Sequence, residues 1–235
     1  MHLQLRKIPP LILVLFAADL ALAFFYLMNA GLQWPSAKIA PMLDLDGEAN
    51  LPTWYSSMQL LLTAGLLAIF TLQRIDKRNR QSWSLLLLPL VFMFLAFDEV
   101  VGIHEWVGMA SDAFLPGGSR VNTRLAYTGI WMFVLGIPFL LVMLVLLKNL
   151  KKYWRDQPAV SKKLVAGLAV FLGAACGVEI LSNFVTHPGK FYVLEVFTEE
   201  LGEMLGETIF VWAAYEALGL SLRPFDHQPQ VRQAH

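Results

Sequence analysis

The chain has 235 residues, of which 57% are hydrophobic and only 15% charged, with a formal net charge of zero. A soluble domain is about one-quarter charged, so this composition excludes an ordinary soluble domain and points to an integral membrane protein. The charge balance offers no basic surface for nucleic acid, and the single cysteine, Cys176, excludes an intrachain disulfide and a cysteine-based zinc motif.

Arg6 and Lys7 precede an apolar run that continues to Met28, which predicts an uncleaved first span rather than a signal peptide. A spanning helix needs about 20 mostly apolar residues. Six segments qualify, at roughly 9–29, 54–73, 83–105, 125–147, 163–185 and 191–219. The expected fold is all-α: a single polytopic bundle over residues 1–235, with six transmembrane helices and a long outer loop at 30–53. With the N-terminus inside, Lys38, Arg120, Arg124 and Lys190 are the outer basic residues, and the other fourteen of the eighteen Lys and Arg lie inside. That asymmetry predicts both termini in the cytoplasm of a bacterial-type inner membrane.

The first outer loop contains MLDLDGEANLPTWYSS, in which Asp44, Asp46, Glu48 and Asn50 alternate with other residues. Counted from Asp44, the sixth position is Ala49 and the twelfth Tyr55, so the EF-hand pattern of Gly and Glu at those places fails. The loop reads either as a cap, with Asn50 or Thr53 starting the second span before or after Pro52, or as an acidic lid with Trp54 and Tyr55 as interface anchors. The first span itself carries one acid, Asp19.

The third span reads FLAFDEVVGIHEWVG. Seven residues separate Asp98 from Glu105, so on one continuous helix they share a face, with His104 beside them and Glu99 leaning away. The fifth span adds Glu179, with Asn183 one turn on. The sixth span carries five glutamates. On a helical wheel Glu195, Glu199, Glu200, Glu203 and Glu207 fit a stripe of about 140°. Thirteen of the eighteen acids fall on or in the outer half, a bias that membrane topology does not require.

Charge at the bilayer centre costs at least about 2.5–3.5 kcal/mol per residue on insertion scales, so the stripe must face protein, water or a counter-ion. Closely spaced carboxylates cannot all ionise unpaired, and the outer halves of the spans supply no Lys or Arg. A bound divalent metal answers this best. Oxygen-rich ligation with one histidine suits iron or manganese, with calcium or zinc as alternatives. The ligand candidates are Glu200, Glu203, Asp98, Glu105, His104 and Glu179. Glu199, Glu207 and Asp19 form a secondary set along an ion path, and Asp44, Asp46, Glu48 and Asn50 form an outer-loop set. No catalytic residue is singled out.

Glu48-x-Asn50 resembles the first part of the acidic loop of ceramidase-like membrane hydrolases, and Glu199-Glu200 resembles the Glu-Glu pair of intramembrane CAAX-type proteases. No His-x-x-x-His motif is present, and the arginine and paired histidines that accompany the protease pair are missing.

These residues predict a metal-dependent membrane hydrolase or oxidoreductase acting on a lipid or lipophilic substrate from the periplasmic side. Two other classes fit the same residues: a proton or divalent-cation transporter using Glu195, Glu199, Glu203 and Glu207 as a ladder, and an accessory or assembly subunit. Gly173-x-x-x-Gly177 and Gly202-x-x-x-Gly206 predict close packing of the fifth and sixth spans, or a homodimer contact.

Overall fold

The computed structural model describes residues 8–32, 39–75, 78, 80–121, 123–126, 128, 130–154, 157–184 and 190–221, and no strand occurs among them. Arg6, Lys7, Lys38, Arg223 and Arg232, which carry part of the orientation argument, lie outside the described residues. Helix α1 spans Pro10–Leu32 and opens on a proline, which fits a first helical turn because its missing N–H has no partner there. Helix α2 spans Leu51–Arg74. Asn50 caps it, its Oδ1 accepting the Thr53 backbone N–H at 3.2 Å. A 3-10 segment, Arg80–Leu86, leads into α3, Leu87–Val101.

The third predicted span does not run straight. Gly102 adopts φ 64°, ψ 39°, a left-handed conformation that stops α3, and its N–H donates to the Asp98 carbonyl at 2.7 Å. Helix α4, Ile103–Ser111, leaves at a bend of 71°. Asp98 and Glu105 therefore lie on two helices, and the shared face expected of them does not exist.

A π-turn, Met132–Gly136, precedes α5, Ile137–Trp154. Helix α6, Pro158–Leu172, passes through a second π-turn, Gly173–Val178, into the short α7, Glu179–Ser182. Helix α8, Lys190–Ser221, has 32 residues.

By length and composition three segments can cross a membrane: Pro10–Leu32, Leu51–Arg74 and Pro158–Ser182. The bent α3–α4 pair makes a fourth if it counts as one span. Two of the six predicted spans fall short of that measure. In the fourth, the apolar helix is only Met132–Lys148. The sixth, α8, is long enough, but its glutamates keep it out of the apolar set.

Helix α8 sits at the centre and packs on α1, α2 and α6. One apolar core joins α2, α3, α5, α6 and α8 around Phe70, Phe92, Leu164, Phe210 and Ala214. A smaller one joins Leu22 and Tyr26 of α1, Leu45 of the outer loop, and Val196 and Met204 of α8.

The approach of α6 to α8 depends on glycine. A Cβ on Gly206 would lie 2.8 Å from the Phe171 backbone nitrogen, one on Gly202 2.6 Å from the Ala174 Cβ, and one on Gly167 3.1 Å from the Gly206 carbonyl. Gly173 and Gly177 face open space, so the second half of the predicted contact is made by Phe171 and Ala174 instead. Gly206→Ala should therefore cost about 1–3 kcal/mol through overpacking. Gly173→Ala should leave the melting temperature in detergent unchanged. Equal melting temperatures for the two variants would refute this account of the helix pair.

Candidate functional site

Helix α8 carries five glutamates from the centre of the bundle towards its N-terminal end. The deepest, Glu207, is fully buried, and its Oε1 accepts the Ser56 hydroxyl at 2.7 Å. Its Oε2 has no hydrogen-bond partner among the described residues. Ser56 also engages Glu99 of α3.

Beside Glu207 lies a closed polar layer built on Asp19, which is fully buried. Asp19 Oδ1 accepts the Tyr55 hydroxyl at 2.7 Å and Gln59 Nε2 at 3.0 Å, and its Oδ2 accepts the Thr208 hydroxyl at 2.8 Å. Gln59 Nε2 also reaches Thr208 Oγ1 at 2.8 Å. This layer ties α1, α2 and α8 together. It gives Asp19 a structural role, and it turns Tyr55 inward, away from the interface position expected of it.

Above this layer the remaining acids line one cavity of about 950 Å³. Its wall includes Glu195, Glu199, Glu200 and Glu203 of α8, Asp98 and Glu99 of α3, Glu105 of α4, Glu179 of α7, and Asp46 and Glu48 of the outer loop. Glu203 lies within Coulombic range of Glu200, Glu99, Glu199 and Glu207, and Glu199 within range of Glu179 and Glu195. Of the predicted site residues, Glu207, Asp19, Asp44 and Asn50 are not on this wall.

His104 also lines the cavity and is held by Asp98. The Asp98 Oδ1 accepts the His104 backbone N–H at 2.9 Å, and Oδ2 lies 3.0 Å from Nδ1. With Nδ1–H donated to Asp98, Nε2 is the lone-pair nitrogen of the ring, an arrangement that orients metal-binding histidines. Both carboxyl oxygens of Asp98 therefore engage His104. The His104 ring lies 5.2 Å from Trp131, whose Nε1–H donates to Glu179 Oε1 at 2.9 Å.

Arg120, which lies in the loop after α4 and not in a span, brings a cation to the cavity. It lines the cavity, donates to Asp112 Oδ2 at 2.7 Å and lies within Coulombic range of Glu179. The buried Gly108 lets Trp131 approach: a Cβ there would sit a tight 3.3 Å from the Trp131 Cβ, and at an ordinary contact distance of 3.6 Å from Arg120 Nη2.

The outer loop closes the top. Leu45 is buried against α1 and α8, and the Tyr192 hydroxyl donates to Asp46 Oδ2 at 2.5 Å. Asn50 Nδ2 donates to the Asp44 carbonyl, and Asp44 Oδ1 accepts the Asp46 N–H at 3.3 Å. Asn50 is thus the cap, and Leu45, Asp46, Gly47 and Glu48 of the same loop line the cavity. Partial burial, then the neighbouring Glu105 and more weakly Asp98 and Asp46, push the Glu48 carboxyl above its ordinary value, against the pull of His104.

Trp131, Arg120, Ser56 and Tyr192 were not foreseen as site residues. Ser56, Gln59 and Thr63 carry a legible signal, a polar i, i+3, i+7 stripe on an otherwise apolar helix. The other three reach the site through tertiary folding. Among the described residues, no group of three or more His, Cys, Asp or Glu side chains is gathered so as to hold a metal ion in this conformation.

The chain belongs to the family described as Domain of unknown function (DUF8692), which matches over residues 11–218. No curated protein matches it. No solved structure matches it.

Removing the Ser56 hydroxyl strands a buried carboxyl. Ser56→Ala should destabilise the bundle by about 1–3 kcal/mol. Glu207→Gln, which keeps an acceptor for Ser56, should cost less. Thermal unfolding of both variants in one detergent gives the comparison, and an unchanged melting temperature for Ser56→Ala would contradict the role assigned to it.

Proposed function

We propose that this family member is a six-span protein of a bacterial inner membrane, with both termini in the cytoplasm, and that its chamber faces the outer side and holds a divalent metal. The supporting observation is the convergence of ten carboxylates from α3, α4, α7, α8 and the outer loop on a single cavity, in which Arg120 is the one Lys or Arg on the described wall. A cation is the economical counter-charge for such a wall. Glu200 and Glu203 would be the central ligands, with Nε2 of His104 and the carboxylates of Asp98, Glu105 and Glu179 as the other candidates on the same wall. One imidazole among carboxylates favours iron or manganese over zinc or calcium. Bound there, such a metal would supply Lewis-acid or redox chemistry towards a lipophilic substrate.

The transporter reading needs a path onward from Glu207. Below it, α8 presents Phe210, Val211, Ala213, Ala214 and Ala217, each buried in apolar packing. Glu216 is occupied by Lys163, whose ammonium also lies 4.6 Å from the Trp212 ring centroid. This packing favours a chamber that holds its cation over a ladder that conducts one.

Elemental analysis of the purified protein by plasma mass spectrometry tests the reading. Near-stoichiometric iron or manganese is expected, and Glu203→Gln should lose it. Asp98→Asn should keep the fold while weakening metal affinity by about 10–100-fold, because it releases the orientation of His104. No metal in the wild type, or equal metal in Glu203→Gln, would overturn the assignment.

A further inference from the structure

The chamber has an apolar arm as well as an acidic one, and both follow the same direction along its walls. On α3 the lining residues are Leu87, Leu90, Val91, Phe94 and Leu95, followed by Asp98 and Glu99. Their spacing of i, i+3, i+4, i+7, i+8 is one helical face, apolar for about 12 Å and then acidic. On α6 and α7 the face runs Phe171, Leu172, Ala175 and Cys176, then Glu179. The antiparallel α5 segment runs the other way, from Trp131 through Leu135, Pro138 and Phe139 to Val142. Each of these three walls is therefore apolar at one end and polar at the other.

Two π-turns meet where apolar gives way to polar. A Cβ on Gly136, in the first, would lie 3.6 Å from Cys176 Sγ, in the second. Single π-turns inside helices occur often at functional sites. The arm is also open sideways. Helix α3 packs mainly on α2, and α5 on α6 and on the 3-10 segment that leads into α3. Leu90, Phe94 and Val142 line it and remain 50%, 53% and 47% exposed.

We propose that the arm binds the hydrocarbon chain of a single-chain amphiphile that enters from the bilayer between α3 and α5, with a cationic head lodged among the carboxylates. The volume, about 950 Å³, is that of a small-molecule site. Charge complementarity selects the head: where no metal offsets them, an anionic head would meet Glu179, Glu199, Glu200 and Glu203 with Arg120 as the one Lys or Arg on the described wall. This inference rests on the acid-lined chamber serving as a cation site, but it does not require the metal.

Cys176 is the single cysteine of the chain and lines the junction of the two arms, so it reports occupancy without any engineered residue. The protein is reconstituted in phosphatidylcholine nanodiscs with a chelator present, and alkylation of Cys176 by N-ethylmaleimide is followed by intact mass. Dodecyltrimethylammonium is compared with dodecyl sulfate at equal concentrations below micelle formation. The cationic amphiphile should slow labelling by about tenfold when present at about ten times its Kd, as mass action requires. The sulfate should protect far less. Val142→Trp, which fills the arm, should slow labelling without ligand and erase the difference between the two heads. Equal protection by both heads, protection by neither, or no labelling of the free protein would each overturn the proposal. Because the chelator is present throughout, its failure is separate from a failure of the metal assignment, which metal analysis alone decides.

Discussion

The fold is organised around a helix that cannot be left exposed to lipid. Helix α8 carries Glu195, Glu199, Glu200, Glu203 and Glu207 along one side, and each would be costly against hydrocarbon. Wrapping that helix with α1, α2 and α6 removes the cost, and the wrapping must be close enough to exclude lipid tails. Glycine makes it close. Gly202 and Gly206 lie on the helix that carries the acids, and they let Ala174 and Phe171 come within van der Waals contact of its backbone. The acids and the glycines of α8 are thus two parts of one solution: the first need a partner surface, and the second let it approach.

The polar layer beneath the chamber follows from the same constraint. Asp19 of α1 satisfies both carboxyl oxygens with Tyr55, Gln59 and Thr208, so a buried acid becomes a three-helix joint. Ser56 does the equivalent for Glu207, on one oxygen. These groups are spent on structure. Among the described residues, no comparable set of hydrogen bonds joins Glu199, Glu200 and Glu203, which line the cavity instead.

Much of this was legible in the sequence, because a stripe of charge on an apolar helix depends only on helical spacing. The wheel brought Glu195 to Glu207 to one side, and four of the five do line the cavity. It could not separate Glu207, whose fate depends on Ser56 of another helix. The wheel failed for Asp98 and Glu105 because it assumes an unbroken helix, and Gly102 adopts a positive φ that only a backbone of known conformation reveals. The same break, together with the π-turn at Met132–Gly136, reduces six apolar segments to three or four helices of spanning length and composition. Arg120 and Trp131 were out of reach for a different reason. They come to Glu179 and His104 through the packing of α4, which has no periodic signature.

Depth decides what the chamber can do. From Glu207 to the next acid of α8, Glu216, is nine residues, or about 13 Å along the helix. That interval is filled by Phe210, Val211, Ala213 and Ala214, all at or below 1% exposure, and Phe210 is further packed against Phe92 at 4.8 Å between ring centroids. A bare charge entering it would gain no partner and would face the full cost of burial. Glu216, at the far end, already has Lys163. Sideways, by contrast, the lining residues Leu90 and Phe94 of α3 and Val142 of α5 are apolar and half exposed. The low-cost route out of the chamber is therefore into the bilayer and not through the protein, which suits a site that draws an amphiphile from the membrane better than one that passes ions across it.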